Sequence, residues 1–140
     1  MTYFTDEDGQ VQTVDDRHQG RMARLQLLFA ASFAEFDQTA ITGEWSAAEL
    51  AWLEEIQAQL PEIDSLVAAH APERPLPEIN QIDLNIMRLI IHEQRASQTP
   101  VKVLIDEAIE LAKEFGSESS AKFVNGVLAK ILFEDPEQKG

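Results

Sequence analysis

The sequence predicts an all-α fold of six or seven helices in two small bundles packed together. Three observations lead there. Apolar residues recur at i, i+3 and i+4 along most of the chain. Helix-start signals stand in front of these stripes. No alternating apolar and polar run reaches convincing strand length, and no unit repeats at a fixed period. The chain has 140 residues, 44% of them hydrophobic and 26% charged. That is enough for one domain with a core of its own and too little for two full-sized ones.

Each element has its own signal. Residues 1–14 carry Asp6, Glu7, Asp8 and Gly9 without apolar periodicity and are expected to form a flexible acidic leader. Asp15 or Asp16 can cap a helix running to about Phe36, with Leu25, Leu28, Phe29, Phe33 and Phe36 on one face. Arg17, Arg21 and Arg24 share another face of the same helix. A turn follows from Asp37 to Gly43. Ser46-Ala47-Ala48-Glu49 is a capping box opening a helix that carries Leu50, Leu53, Ile56 and Leu60. Pro61 closes that helix or begins the next, where Ile63, Leu66, Val67 and His70 continue the stripe.

Pro72, Pro75 and Pro77 break any helix and suggest a hinge. The domain, 15–135, is thereby divided into sub-bundles of about 15–71 and 78–133. From Asn80 the pattern resumes with Ile82, Ile86, Leu89 and Ile90. Thr99-Pro100 starts a helix whose stripe is Val101, Leu104, Ile105, Ala108, Leu111, Ala112 and Phe115. Gly116 is a natural C-terminal cap. Ser117 can cap the last helix, carrying Val124, Val127, Leu128 and Ile131, and residues 134–140 form a tail.

Composition excludes several chemistries. There is no cysteine, so disulfides, thiolate metal sites and a cysteine nucleophile are ruled out. No apolar run is long enough to span a bilayer. The acidic, polar start of the chain does not resemble a secretory signal, and a cytoplasmic location is expected. His92-Glu93 lacks the second histidine of a zinc-protease helix, because residue 96 is Ala. Asp106, Glu107, Glu110 and Glu114 line one side of a helix; the first three lie in its N-terminal half, where carboxylates suit the macrodipole. No Walker loop, dinucleotide turn or nucleophile elbow is present. Neither an enzyme nor a bound cofactor or metal is expected.

The charge is uneven. Lys plus Arg number 11 against 25 Asp plus Glu, a net charge of −14. Taken as a whole that disfavours a polyanionic partner. Residues 17–34, however, hold Arg17, Arg21 and Arg24 and no acid. At physiological salt the Debye length is about 8 Å, so a ligand senses the local patch first. A second basic cluster brackets the Gly116–Ser119 turn, where Lys113, Phe115, Lys122 and Phe123 combine cations with aromatic faces. Phosphate pairing plus base stacking is how single-stranded RNA is held. Gly126 lies inside an otherwise good helix, at a cost of about 1 kcal/mol against alanine. A close helix–helix approach would account for it.

The run Pro100–Gly116, PVKVLIDEAIELAKEFG, followed by Ser120–Leu128, SAKFVNGVL, closely resembles the NusB family of bacterial transcription antitermination factors. Asp83, Ile86-Met87-Arg88-Leu89 and Glu93 resemble the preceding family helix. Arg21 through Phe29, with Gln26, resemble its first. The resemblance covers roughly residues 17–36 and 80–132; 37–79 share only length and helicity.

The resemblance implies the family's all-helical fold, two small three-helix bundles packed side by side. It implies binding to the boxA element of ribosomal RNA leaders as a heterodimer with the small-subunit ribosomal protein NusE, within a complex of other Nus factors and RNA polymerase. Carried over by position, the RNA-facing residues would be Arg17, His18, Arg21 and Arg24 on the first helix. Lys113, Phe115, Glu118, Lys122, Phe123 and Asn125 would join them around the C-terminal turn. Phe29 and Glu93 would face NusE. The run Arg17-His18-Gln19-Gly20-Arg21 is poorer in arginine than the family's usual opening, and Ser119 stands where many members carry an acid.

Two other readings compete. One is a protein–protein adaptor that binds the NusE-like partner with little or no RNA. The other is the accessory helical domain that some RNA cytosine methyltransferases carry. Homodimers that hide the RNA surface also occur in the family.

Overall fold

A computed structural model describes residues 3–5, 11–32 and 45–134 of the protein. Five α-helices make the architecture: α1 (Val14–Ala31), α2 (Ala47–His70), α3 (Gln81–Ala96), α4 (Val101–Phe115) and α5 (Ser120–Glu134). A single 3-10 turn, Leu76–Glu78, follows α2. Within the stretch for which the sequence predicts no regular element, β1 (Tyr3–Thr5) and β2 (Val11–Thr13) pair antiparallel, with Phe4 opposite Gln12. Phe33, Phe36 and the expected turn at 37–43 lie outside the described residues.

The all-helical expectation holds, with five α-helices among the described residues instead of six or seven. Part of the difference comes from Pro61, which neither ends nor starts a helix: α2 runs through it. A proline inside a helix costs about 3 kcal/mol. Trp52, Leu53 and Ile56 before it and Ile63 and Val67 after it are all buried. Burying each such side chain is worth about 1.5–3 kcal/mol, so a continuous stripe outweighs the lost hydrogen bond. The helix starts as expected: Ser46 Oγ accepts from the Glu49 amide at 3.1 Å, and the Glu49 carboxylate accepts from the Ser46 amide at 2.8 Å.

α3 is the centre. It touches all four other described helices, α1, α2, α4 and α5. Between Asp83 and His92 every side chain except Arg88 is buried. Asn80 starts it, its side-chain oxygen accepting from the Ile82 amide at 2.7 Å. Of the polar groups inside, Asp83 Oδ1 and His92 Nε2 have no hydrogen-bond partner, whereas Asn85 has two. Asn85 donates to Ser32 Oγ and accepts from Arg88, whose guanidinium also forks onto Asp64 with two bonds of 2.8 Å. Ala71 and Ile79 are buried at the two ends of the proline-rich connection, which ties that connection into the core.

α4 buries its expected stripe, Leu104, Ile105, Ala108, Leu111 and Ala112, and packs most extensively on α5, which buries Val124, Val127, Leu128, Ile131 and Leu132. Gly116 ends α4 with an amide bond to the Ala112 carbonyl, but its backbone is extended (φ −94°, ψ −170°) and any residue could adopt it. The requirement is space. A Cβ there would collide with the Ser120 side chain and lie 2.8 Å from the Ala112 carbonyl oxygen. Ser120 needs that position because its Oγ accepts from the Ser117 amide at 2.9 Å. The tight turn is thus closed by Ser120 rather than by the expected Ser117 cap. Gly116→Ala should destabilise the fold by about 1–3 kcal/mol, the usual cost of overpacking. Chemical denaturation reads this directly, and a neutral effect would show that the turn is looser than described.

Candidate nucleic-acid interface

The arginine window of α1 does not lie open to solvent. Among the described side chains of α1, the fully buried apolar ones, Leu25, Leu27 and Leu28, lie in its second half, while Met22 is half-buried against the core. Its first half is attached by charge. Arg21 is 8% exposed, and its guanidinium forks onto Glu93 of α3, Nε to Oε1 at 2.9 Å and Nη2 to Oε2 at 2.6 Å. Glu107 of α4 stands 3.6 Å away on its other side. The Glu93 hydrogen bonds hold the Arg21 guanidinium still more firmly protonated than usual, against the opposing effect of burial.

One turn earlier, His18 lies between two carboxylates of α4. Nδ1 is 2.8 Å from Glu107 and Nε2 is 2.5 Å from Glu114. A neutral imidazole has one donor; meeting two carboxylates requires both nitrogens to be protonated. Burial alone would lower the His18 pKa, but the hydrogen bonds to Glu107 and Glu114 and their charges outweigh it and raise the pKa above the usual 6.5.

The remaining predicted residues divide between two places. Arg17 is exposed and lines, with Arg21, Glu93 and Val103, a cavity of about 440 Å³ against the α3–α4 connection. Arg24 is exposed, and its guanidinium lies over the Trp52 ring at 4.9 Å. Phe29 is half-buried further along α1. Arg21 and Glu93, expected on an RNA face and a partner face respectively, are bonded to each other.

Around the α4–α5 turn, Lys113, Glu118, Lys122 and Asn125 are exposed, while Phe115 and Phe123 are half-buried against the core. Ser119 is exposed in the same turn. His18 links the two places, because its partner Glu114 immediately follows Lys113.

One contact escaped the sequence reading, and one expectation is overturned. The Arg74 guanidinium stacks over the Phe123 ring at 4.0 Å, covering the aromatic face expected to be free. A Cβ at Gly126 would meet nothing within 4 Å, so close helix packing does not explain that glycine. Arg74 is the sole base within the proline-rich connection 71–80, which was its available signal; its contact with Phe123 bridges 49 positions that no local pattern spans. Separately, His92 is 2% exposed and its Nε2 has no hydrogen-bond partner. Burial lowers its pKa, and Glu55 at 3.9 Å only partly opposes this. Among the described residues no group of His, Asp and Glu is arranged to hold a metal ion, and no helix is long and apolar enough to cross a membrane.

The geometry is that of an all-helical domain with a core-filling central helix, an ion-paired first helix and a basic, aromatic-bearing turn. The sequence model of the NusB family matches residues 18–133, and the chain belongs to that family. Among its relatives is the transcription antitermination protein NusB of Campylobacter concisus, 36% identical over 124 residues that span 82% of this chain and 95% of that protein. The NusB of Lachnoclostridium phytofermentans is 49% identical over 80 residues, 56% of this chain and 61% of that protein. Among solved structures, T. maritima NusB is similar with a TM-score of 0.74 and 32% identity, over 88% of this chain and 95% of that one.

Two predictions follow from the α1 attachments. Arg21→Ala leaves Glu93 without its partner and should cost about 3 kcal/mol, the lower end for breaking a buried pair. The pair Arg21→Met with Glu93→Leu should recover most of that loss in urea denaturation; an equally damaged double variant would contradict the ion-pair account. For His18 the folded pKa is raised, so its contribution is fully present below pH 6.5 and is lost as pH rises through the folded value. His18→Gln should therefore lower the Tm more at pH 5.5 than at pH 8.5, and a pH-independent difference would remove the imidazolium from the account.

Proposed function

We propose that the protein is a transcription antitermination factor that binds boxA-type single-stranded RNA of ribosomal RNA leaders as a heterodimer with the NusE ribosomal protein. In this role it would act in the cytoplasm, alongside other Nus factors and RNA polymerase, and catalyse no reaction. Membership of the NusB family supports the antitermination role. The observation that carries the RNA reading is the α4–α5 turn. Lys113 and Lys122 are exposed there with no carboxylate partner, beside the half-buried rings of Phe115 and Phe123. Such a turn offers phosphate pairing and stacking without any reacting group.

On this reading α1 contributes less than its arginine content suggests. Arg21 and His18 already hold carboxylates, and the Arg24 guanidinium lies over the Trp52 ring. Binding by the chain alone is then weak, and the partner supplies further contacts. Val103, 45% exposed beside the Arg21–Glu93 pair, gives the NusE-facing region an apolar element.

One observation favours the adaptor reading instead. The carboxylates of Glu93, Glu107 and Glu114 engage Arg21 and His18 in the basic window, in a chain of net charge −14. Fluorescence anisotropy separates the two. A labelled boxA RNA and a scrambled control are titrated at two salt concentrations, with the protein alone and with NusE. Selective binding that tightens with NusE is expected. In that complex Lys113→Ala should flatten the dependence of log K on log salt by about 0.7, the value of one phosphate contact on a single strand. NusE binding without RNA selectivity would establish the adaptor.

A further inference from the structure

Among the described residues, six cations have no carboxylate partner: Arg24, Arg74, Lys102, Lys113, Lys122 and Lys130. Three of the six, Arg74, Lys122 and Lys130, line one groove of about 330 Å³ between the C-terminal end of α2 and the outer face of α5. Its lining contains one acid, Glu73. In a chain of net charge −14 this is a local excess of positive charge on a concave surface, and counter-charge is drawn to such places.

The groove also has an aromatic wall and a missing side chain. Phe123 forms the wall, and the Arg74 guanidinium lies flat on it at 4.0 Å. A guanidinium stacked on a ring presents its own outer plane to a base, and it can equally swing aside and let the base take the ring. Gly126 sits one turn beyond Phe123 on the same α5 stripe, which continues to Lys130. It is exposed in the helix interior with nothing within 4 Å of where a Cβ would be, so neither backbone conformation nor packing calls for glycine. What its hydrogen does provide is a low floor between the ring and the lysine. A nucleobase requires a flat stacking partner, open space beside it and cations within reach of the flanking phosphates. This groove has all three.

We infer that the α2–α5 groove is a nucleotide subsite for single-stranded RNA, in which a base stacks with Phe123 and Arg74 above Gly126 while Lys122 and Lys130 pair with the adjacent phosphates. This rests on the RNA-binding function proposed above and extends it: the strand leaves the α4–α5 turn through Lys122 and continues along α5, away from the ion-paired half of α1. Lys122 belongs to both the turn and the groove, so the path is continuous.

The test uses the full chain with NusE and a labelled boxA RNA in the anisotropy assay. Arg74→Ala with Lys130→Ala should weaken binding about tenfold and flatten the salt dependence by about 1.4, two contacts at about 0.7 each. Gly126→Gln should raise the Tm, because glutamine favours the helix, and yet weaken RNA binding by filling the floor. That opposition is not produced by a structural role alone. Lys102→Ala removes an equally unpaired charge at the opposite end of α4 and should leave affinity unchanged.

Unchanged affinity in the Arg74 and Lys130 double variant, with Lys113→Ala still weakening binding, would overturn the groove and leave the turn as the RNA site. Equal weakening by Lys102→Ala would overturn it as a general charge effect. Loss of NusE binding without RNA present would make the groove a protein contact. Failure of the unmodified complex to bind RNA at all would overturn the RNA reading itself, and the groove with it.

Discussion

Among the described side chains, the first half of α1 sets only the half-buried Met22 against the core, and the Arg21 fork onto Glu93, together with Glu107 and His18, holds it in place. The dependence is geometrical. Burial of Leu25, Leu27 and Leu28 fixes the second half of the helix against the core, but helices joined at one end can splay at the other. A bidentate guanidinium–carboxylate pair has a narrow geometry and so sets the rotation and register of α1 against α3. Its net contribution to stability is smaller than its strength suggests, because both groups lose water. What it supplies is position: the place of Arg17, the line of the cavity beside Val103, and the approach of α1 to the carboxylates of α4.

The same pair decides where positive charge remains available. Of the bases in the described structure, Arg21, Arg88, Arg95 and His18 are held by carboxylates from other elements, over sequence separations of 24 to 96 residues for the hydrogen-bonded ones among them. Glu107 serves both His18 and Arg21. The charges that survive this pairing are concentrated at the α4–α5 turn and along α5. With a Debye length of about 8 Å, a strand following that edge is screened from most of the acids elsewhere on the chain.

The fold was legible where interactions are local. The stripe from Val101 to Phe115 and the Ser46–Glu49 capping box are complete within one or four turns, and both are found as expected. Pro61 was misleading because its local effect is real but smaller than the burial on either side of it. Site geometry was legible only in part for a related reason. Lys113, Lys122, Phe115 and Phe123 are adjacent to one turn, and their grouping follows from sequence. The face shared by Arg17, Arg21 and Arg24 also followed correctly from helical spacing, but spacing says nothing of what stands opposite. Glu93, Glu107 and Glu114 come from two other helices, so Arg21 at the centre of an apparently basic window, and His18 beside it, became ion-paired contacts.

Gly126 shows what a departure from local consistency can reveal. Helices α4 and α5 follow propensity, capping and burial closely, so a residue that weakens α5 needs a cause outside the helix. Gly116 has such a cause within the fold, since the Ser120 side chain occupies the space a Cβ would need. Gly126 has none: its surroundings are empty and its backbone is that of an ordinary helix. Gly116 and Gly126 therefore divide cleanly, one required by packing and the other free of it. On the free one the helix gives up stability and gains a shallow floor between an aromatic ring, a stacked guanidinium and two unpaired lysines. Where the core makes no demand, the remaining constraint lies in what the surface has to admit.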